Sequence, residues 1–362
     1  PHSGVSVKVL NQLVSGVVLS CASLLAHASL ALPASSYSSL VIFGDSLSDS
    51  GNNSNAVGAL PGQVITGNGY IPSYTYGAAP FGTYSNGPVW ATQFAAAIGL
   101  SALPSVIPAG TPLGGGLVYP GGTNFAFGGA TTTGGQVPSL TQQAGMYLSS
   151  LTPGSNVGNT LFVVAGGGNN ARDTFASLAT QSDFGMIGAT SSAAGALYAQ
   201  DIGNIVDNLQ AIGAQHIVVW NTPNIGKAPA IGQVPFTASG LTGSQLGSLV
   251  SGSLNGALTT RLNGEAGVQI FDLYSLVGQA ATSGFFDNTT DACGATLAPA
   301  SCADINRALF WDGIHPTAAG HAYIASQMLA LAAPVPEPQT YAMLLVGLLV
   351  IGNVVRRRSS LR

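Results

Sequence analysis

Four stretches of this chain, Ser39 to Phe43, Thr160 to Ala165, His216 to Trp220 and Val268 to Phe271, are continuous apolar runs rich in β-branched residues. A strand with one wet face alternates apolar and polar side chains, whereas an unbroken run suits a strand covered on both faces. Between the runs lie longer segments with helical potential, among them Val89 to Ile98, Ala193 to Ala211 and Gly247 to Leu262. Strands alternating with helices predict an α/β fold, a parallel sheet between two helix layers, with any site at the carboxyl ends of the strands. The 46% hydrophobic content of the 362 residues is ample for such a core.

Charge narrows the function classes. Only 6% of residues are Asp, Glu, Lys or Arg, against about 25% in ordinary domains. Between Ser35 and Val335 four basic residues, Arg172, Lys227, Arg261 and Arg307, face twelve acidic ones. A body this acidic has no electrostatic footprint for nucleic acid. No Cys/His cluster has metal-ligand spacing, no GxxxxGK[ST] phosphate loop occurs, and nothing points to a cofactor. The Gly/Pro-rich stretch Ala102 to Gly122 shows neither periodicity and reads as a long surface loop.

The two ends differ from the body. Lys8, an apolar stretch Val9 to Leu25 and the small-residue exits Ala26-His27-Ala28 and Leu32-Pro33-Ala34 predict a secretion signal over 1–34. Export would place Cys293 and Cys302, nine residues apart, in an oxidising compartment where they could close a small disulfide. At the other end TYAMLLVGLLVIGNVV precedes Arg356-Arg357-Arg358. Its sixteen residues rise about 24 Å as a helix, short of the roughly 30 Å hydrocarbon core, so a short terminal span or transient anchor with a cytoplasmic C-terminus is expected. The order Val335-Pro336-Glu337-Pro338, apolar helix, arginine cluster resembles the PEP-CTERM sorting signal of Gram-negative bacteria. That resemblance implies an exosortase-type membrane enzyme as partner and a cell-surface or extracellular destination. Residues 35–333 remain as one domain.

Chemistry centres on FGDSLSDSGN, Phe43 to Asn52, where a buried strand runs into hydroxyls and carboxylates. A serine at the end of such a strand and the start of a helix is well placed to attack, with backbone N–H groups available for an oxyanion. Ser46 takes this position. The G-x-S-x-G elbow of ordinary α/β-hydrolases does not occur. Asp45 and Asp49 read as supports of the turn and the following helix. A serine nucleophile needs a base, and the body holds His216, His315 and His321. His216 begins an apolar run and reads as structural. His315 follows Asp312 by three residues in a Gly-containing turn, a spacing that lets the carboxylate fix the imidazole tautomer.

Taken together, these blocks resemble the SGNH/GDSL family of lipases and esterases, in particular its secreted bacterial phospholipase-like branch. FGDSLSDSGN matches the first block, NFAFGGA (Asn124 to Ala130) the second, Gly167-Gly168-Asn169-Asn170 the G-x-N-D third block, and Asp312 to Thr317 the D-x-x-H-P-T block. Asn170 stands where the family has Asp. YSNGPVW at Tyr84 to Trp90 and HIVVWNTPNIGKAP at His216 to Pro229 extend the similarity over most of residues 38–331. The resemblance implies a three-layer, flavodoxin-like αβα fold with a parallel sheet of about five strands. It implies a Ser46, Asp312, His315 triad, with Ser46 N–H, Gly129 N–H (Gly128 as fallback) and the Asn169 side chain as oxyanion donors. Ester hydrolysis through an acyl-serine follows. The loops Gly51 to Pro80 and Ala102 to Gly122 are expected to shape the acyl pocket. Two rival readings are a non-catalytic surface or exopolysaccharide-binding protein on the same scaffold and a polysaccharide O-deacetylase.

Overall fold

The computed structural model describes residues 37–57, 65, 67–68, 75–77, 81–114, 117–295 and 302–332. Strand β1 (Ser39–Gly44) leads through a turn to the short helix α1 (Asn52–Val57), then α2 (Trp90–Ala97). A small hairpin, β2 (Pro112–Gly114) and β3 (Leu117–Val118), interrupts the loop expected over 102–122. There follow α3 (Leu140–Ser150), β4 (Thr160–Ala165), α4 (Gly168–Leu178), α5 (Phe184–Ala211), β5 (His216–Trp220), α6 (Pro229–Gly232), α7 (Gly243–Leu262), β6 (Val268–Phe271), α8 (Leu273–Thr282), β7 (Asn288–Ala292), β8 (Ala308–Phe310) and α9 (Ala318–Ala332).

The main sheet is parallel, in the order β1-β4-β5-β6, with β1 and β4 paired from Ser39–Thr160 to Gly44–Ala165. It has four regular strands among the described residues, and the fifth expected one is present only as an extended segment, 123–127. There Ile42 N–H donates to Thr123, while Phe125 and Phe127 N–H donate to Ile42 and Gly44. This is the slanted pattern of a parallel pair on the free side of β1. In sequence terms the order is then 2-1-3-4-5, the flavodoxin-like winding, whose switch point lies between β1 and β4.

Both faces of the sheet are covered, which is why its strands carry no polar alternation. Val41, Phe43, Phe162, Val164, Ile217 and Val219 pack with Leu140, Phe175, Ile202 and Leu254 of α3, α4, α5 and α7. Leu40, Ile42, Leu161, Val163 and Val218 pack instead with Trp90, Phe94, Leu276 and Met328 of α2, α8 and α9. Successive side chains of one strand thus enter opposite cores, the period-two geometry of a strand. Capping boxes, Ser139 with Gln142 and Thr242 with Gln245, start α3 and α7 where the sequence offers S/T-x-x-Q.

Cys293 and Cys302 are joined by a disulfide. Cys293 directly follows β7, and its N–H donates to the carbonyl of Phe310 at the end of β8, whose chain continues into Trp311 and Asp312. The secretion signal and the sorting tail lie outside the described residues, among which no helix is long and apolar enough to cross a membrane.

Candidate active site

The turn after β1 departs from expectation. Ser46 does not open a helix; α1 begins only at Asn52, and Asp45 to Ser48 form a turn in which Ser48 and Asp49 N–H both donate to the Asp45 carbonyl. The reason is Asp49, whose carboxylate takes over the capping. Its Oδ1 accepts from Gly51 (2.9 Å) and Asn52 (2.7 Å), and its Oδ2 from Asn53 (3.2 Å) and from Gly128 (3.0 Å) in the distant second block. Gly44 is required by close approach, since a Cβ there would stand 2.7 Å from the Ala165 carbonyl oxygen. The turn is locked from the other core by Trp90, whose indole N–H donates to Ser48 Oγ at 3.0 Å.

Ser46, Asp312 and His315 meet. Ser46 Oγ lies 2.8 Å from His315 Nε2, and His315 Nδ1 lies 2.7 Å from Asp312 Oδ2. Asp312 is fully buried, and its other oxygen accepts the backbone N–H groups of Ile314 and His315. A carboxylate held on both oxygens has one orientation, so it places the Nδ1 proton toward itself and leaves Nε2 as the acceptor facing Ser46. His216 sits apart, at the start of β5 against Tyr37, and His321 is wholly buried in α9.

Each of the three expected donors keeps an N–H that no other described group takes up. Among the described residues the backbone N–H groups of Ser46 and Gly129 have no hydrogen-bond partner, whereas that of Gly128 is spent on Asp49. Gly128 is thereby removed as the fallback. The Asn169 amide is oriented from both sides: its Nδ2 donates to the Ala130 carbonyl (2.8 Å) and its Oδ1 accepts from Arg172 (2.9 Å). A carbonyl cannot donate and a guanidinium cannot accept, so these partners fix which end is nitrogen and leave its second N–H for a ligand. Asn170 supports the same loop from one position on. Its Oδ1 accepts the Thr132 N–H, its Nδ2 donates to Thr132 Oγ1, and that hydroxyl donates to Asp201 of α5. The carboxylate missing at position 170 is thus supplied by Asp201.

An apolar slot opens beside these groups. Asp45, Ser46, Asn169, Arg172 and His315 line its polar end, and Pro223, Ile225, Ile231, Leu273, Val277, Ala280, Phe310 and Tyr323 are among the apolar groups that form the rest. The slot therefore runs between α8, α9 and the 223–231 segment. The described residues of the loop 102–122 take no part in it, and much of the loop 51–80 lies outside the described residues. Burial raises the Asp45 carboxyl to about 6, opposed in part by the Leu47 N–H, His315 and Arg172. Burial likewise raises Asp49 to about 6. No cluster of metal-ligating side chains occurs among the described residues.

Three residues of the site escaped sequence reading: Tyr84 against the His315 ring (centroids 5.2 Å apart), Arg172 on Asn169, and Asp201 on Thr132. Tyr84 lay within a noted motif without a role. Arg172 is the one cation three residues after Asn169, an i, i+3 spacing that the α4 turn brings together. Nothing local in sequence marks Asp201.

The sequence pattern described as GDSL-like Lipase/Acylhydrolase matches residues 40–328, and the PEP-CTERM protein-sorting motif matches residues 334–359. GDSL esterase/lipase At1g23500 of Arabidopsis thaliana is 24% identical over 322 residues, covering 81% of this chain and 88% of that protein. GDSL esterase/lipase At3g53100 of the same plant is 26% identical over 337 residues, covering 80% and 90%. Two solved structures align over most of the fold. One is a member of the lipolytic protein G-D-S-L family from Veillonella parvula (TM-score 0.42, 11% identity, 82% of this chain and 99% of that chain). The other is phospholipase A1 from Streptomyces albidoflavus (TM-score 0.41, 18% identity, 81% and 99%).

Proposed function

Since this chain belongs to the GDSL-like lipase/acylhydrolase family and is an ester hydrolase, we propose that it cleaves carboxylic esters in two steps through an acyl-enzyme on Ser46. His315 Nε2 takes the Ser46 proton as Oγ attacks the ester carbonyl carbon. The resulting oxyanion is received by the N–H groups of Ser46 and Gly129 and the free amide N–H of Asn169. Collapse of the tetrahedral species breaks the C–O bond, and His315 returns the proton to the departing alcohol. Water, deprotonated by the same nitrogen, then attacks the acyl-serine; the bond to Ser46 Oγ breaks as His315 hands the proton back to that oxygen, and the acid leaves. Asp312 stays ionised and stabilises the imidazolium of each step.

The observation that carries this reading is the buried chain of contacts Ser46 Oγ to His315 Nε2 at 2.8 Å and His315 Nδ1 to Asp312 at 2.7 Å. A scaffold kept only for binding has no use for all three groups in that order. The apolar slot beside Ser46 supports a fatty acyl group over the acetyl group of a decorated polysaccharide, because acetyl would leave most of that surface unfilled. The sorting motif at 334–359 supports export and processing by an exosortase-type enzyme, with a signal over 1–34, the hydrolase over 35–333 and the tail over 334–362.

A fluorophosphonate probe together with p-nitrophenyl esters of graded acyl length tests the reading. The wild type is expected to label and turn over, with longer chains preferred to acetate, and Ser46→Ala to do neither while keeping its fold. Folded wild-type protein that neither labels nor hydrolyses any ester would leave the binding scaffold as the answer.

A further inference from the structure

The YSNG motif at Tyr84 to Gly87 has no part in the two-step chemistry, yet each of its first three side chains reaches the site. Tyr84 is 2% exposed and its ring lies against the His315 imidazole, centroids 5.2 Å apart and planes 36° apart. Ser85 Oγ donates to the carbonyl of Pro316 at 2.8 Å, and Asn86 Oδ1 accepts the N–H of Ala318 at 2.7 Å. The segment is thus docked along residues 315–318, the stretch that carries the imidazole.

The same side chain also meets the loop before Gly129. A Cβ on Gly128 would stand 2.1 and 2.2 Å from Tyr84 ring carbons and 2.3 Å from its hydroxyl oxygen, so the tyrosine occupies the space a side chain there would need. Asn53 Nδ2 donates both to the Tyr84 hydroxyl and to the Gly128 carbonyl (2.9 Å). One rigid, buried side chain is therefore wedged between His315 and the residue before Gly129.

We propose that Tyr84 is a positioning residue: its ring sets the distance between the imidazole and the Gly128–Gly129 loop, and its face stabilises the imidazolium formed when His315 takes the Ser46 proton. This rests on the reading of His315 as base. A cation within about 6 Å of an aromatic face is attracted by the ring quadrupole, and here the positive charge arises only during catalysis, so the benefit falls on kcat. The neighbouring hydrogen bonds of Ser85 and Asn86 hold the 315–318 stretch against the ring.

Tyr84→Phe, Tyr84→Met and Asn86→Ala, assayed on a short soluble p-nitrophenyl ester with melting temperatures measured in parallel, test this. Phe keeps the ring and is expected to retain kcat within about threefold. Met fills the space without an aromatic face and is expected to lower kcat about 10- to 100-fold, with KM changed less than about twofold. Asn86→Ala removes an exposed acceptor without touching the core and is expected to lower kcat at least threefold. The proposal is overturned if folded Tyr84→Met turns over like the wild type, if Tyr84→Phe falls as far as Met, or if the loss appears in KM. Should Tyr84→Met not fold, an unchanged kcat in Asn86→Ala overturns the brace by itself. Ser46-dependent turnover of the wild type keeps the two readings apart: with it present, a failure belongs to Tyr84 alone, and without it both fall.

Discussion

Ser46 Oγ and His315 Nε2 stand 2.8 Å apart although 269 residues separate them in the chain. One follows β1 of the main sheet and the other follows β8 of the separate β7/β8 pair, just ahead of α9, and the folded chain brings the two together. That contact, with Asp312 buried behind the imidazole, is where the proposed chemistry is most exposed to test.

Asp312→Asn keeps an oxygen for the Ile314 and His315 N–H groups but turns an amide N–H toward His315 Nδ1. The imidazole then carries its proton on Nε2 and cannot take one from Ser46. A loss in kcat of about 10⁴-fold is expected, with a melting temperature close to that of the wild type. Steady-state kinetics with a calorimetric scan checks both, and a loss below tenfold would remove Asp312 from the triad.

Asn169→Ala deletes one of the proposed oxyanion donors and is expected to lower kcat roughly 10²- to 10³-fold with KM nearly unchanged. Arg172→Gln leaves Asn169 in place but removes the charged partner of its carbonyl oxygen. Its loss should be smaller, about tenfold, as befits a residue acting through another. Equal losses in the two variants would mean that Arg172 touches the substrate itself.

Asn170→Asp, which restores the usual family residue, is expected to destabilise this protein by about 1–2 kcal/mol. The Thr132 hydroxyl has one proton and gives it to Asp201; a second carboxylate at position 170 can no longer donate to that oxygen. Denaturant titration of the single variant and of Asn170→Asp combined with Asp201→Asn separates the causes. The double variant is expected to recover much of the loss, and a single variant as stable as the wild type would refute the account.

His321 is fully buried with neither ring nitrogen partnered, and burial, with a smaller contribution from His315, pushes its pKa down to about 3. Between pH 6.5 and about 3 the unfolded chain binds a proton there that the folded protein refuses, so stability falls as the pH drops through that window. His321→Leu removes this linkage. Relative to the wild type the variant should gain about 2 kcal/mol on going from pH 7.5 to pH 5, read from melting curves at the two values. A difference that does not vary with pH would contradict it.

Much of this was legible in the sequence because it is written locally. The four apolar runs became the four strands with boundaries within a residue of the predicted ones, since burial on both faces forbids polar alternation along a strand. Ser46, Asp312, His315, Gly129 and Asn169 were picked out by short blocks whose spacing already carries part of their geometry. The opening of a helix at Ser46 was misread because a capping carboxylate three residues on, Asp49, holds the chain in a turn; the same carboxylate reaches Gly128, which no local pattern announces.

What the sequence alone determined is the four strands of the main sheet, the principal helices packed on it and the residue types that are candidates for the chemistry, because periodicity and turn chemistry act over a few residues. Which groups touch was decided by the tertiary structure alone. Tyr84 between His315 and Gly128, Asp201 beside Asn170 on Thr132, and an apolar slot walled by α8 and α9 all depend on close packing of segments far apart in the chain. A hydrogen bond or a ring contact exists only within a few ångströms, and that distance is set by how the layers of the whole fold fit together.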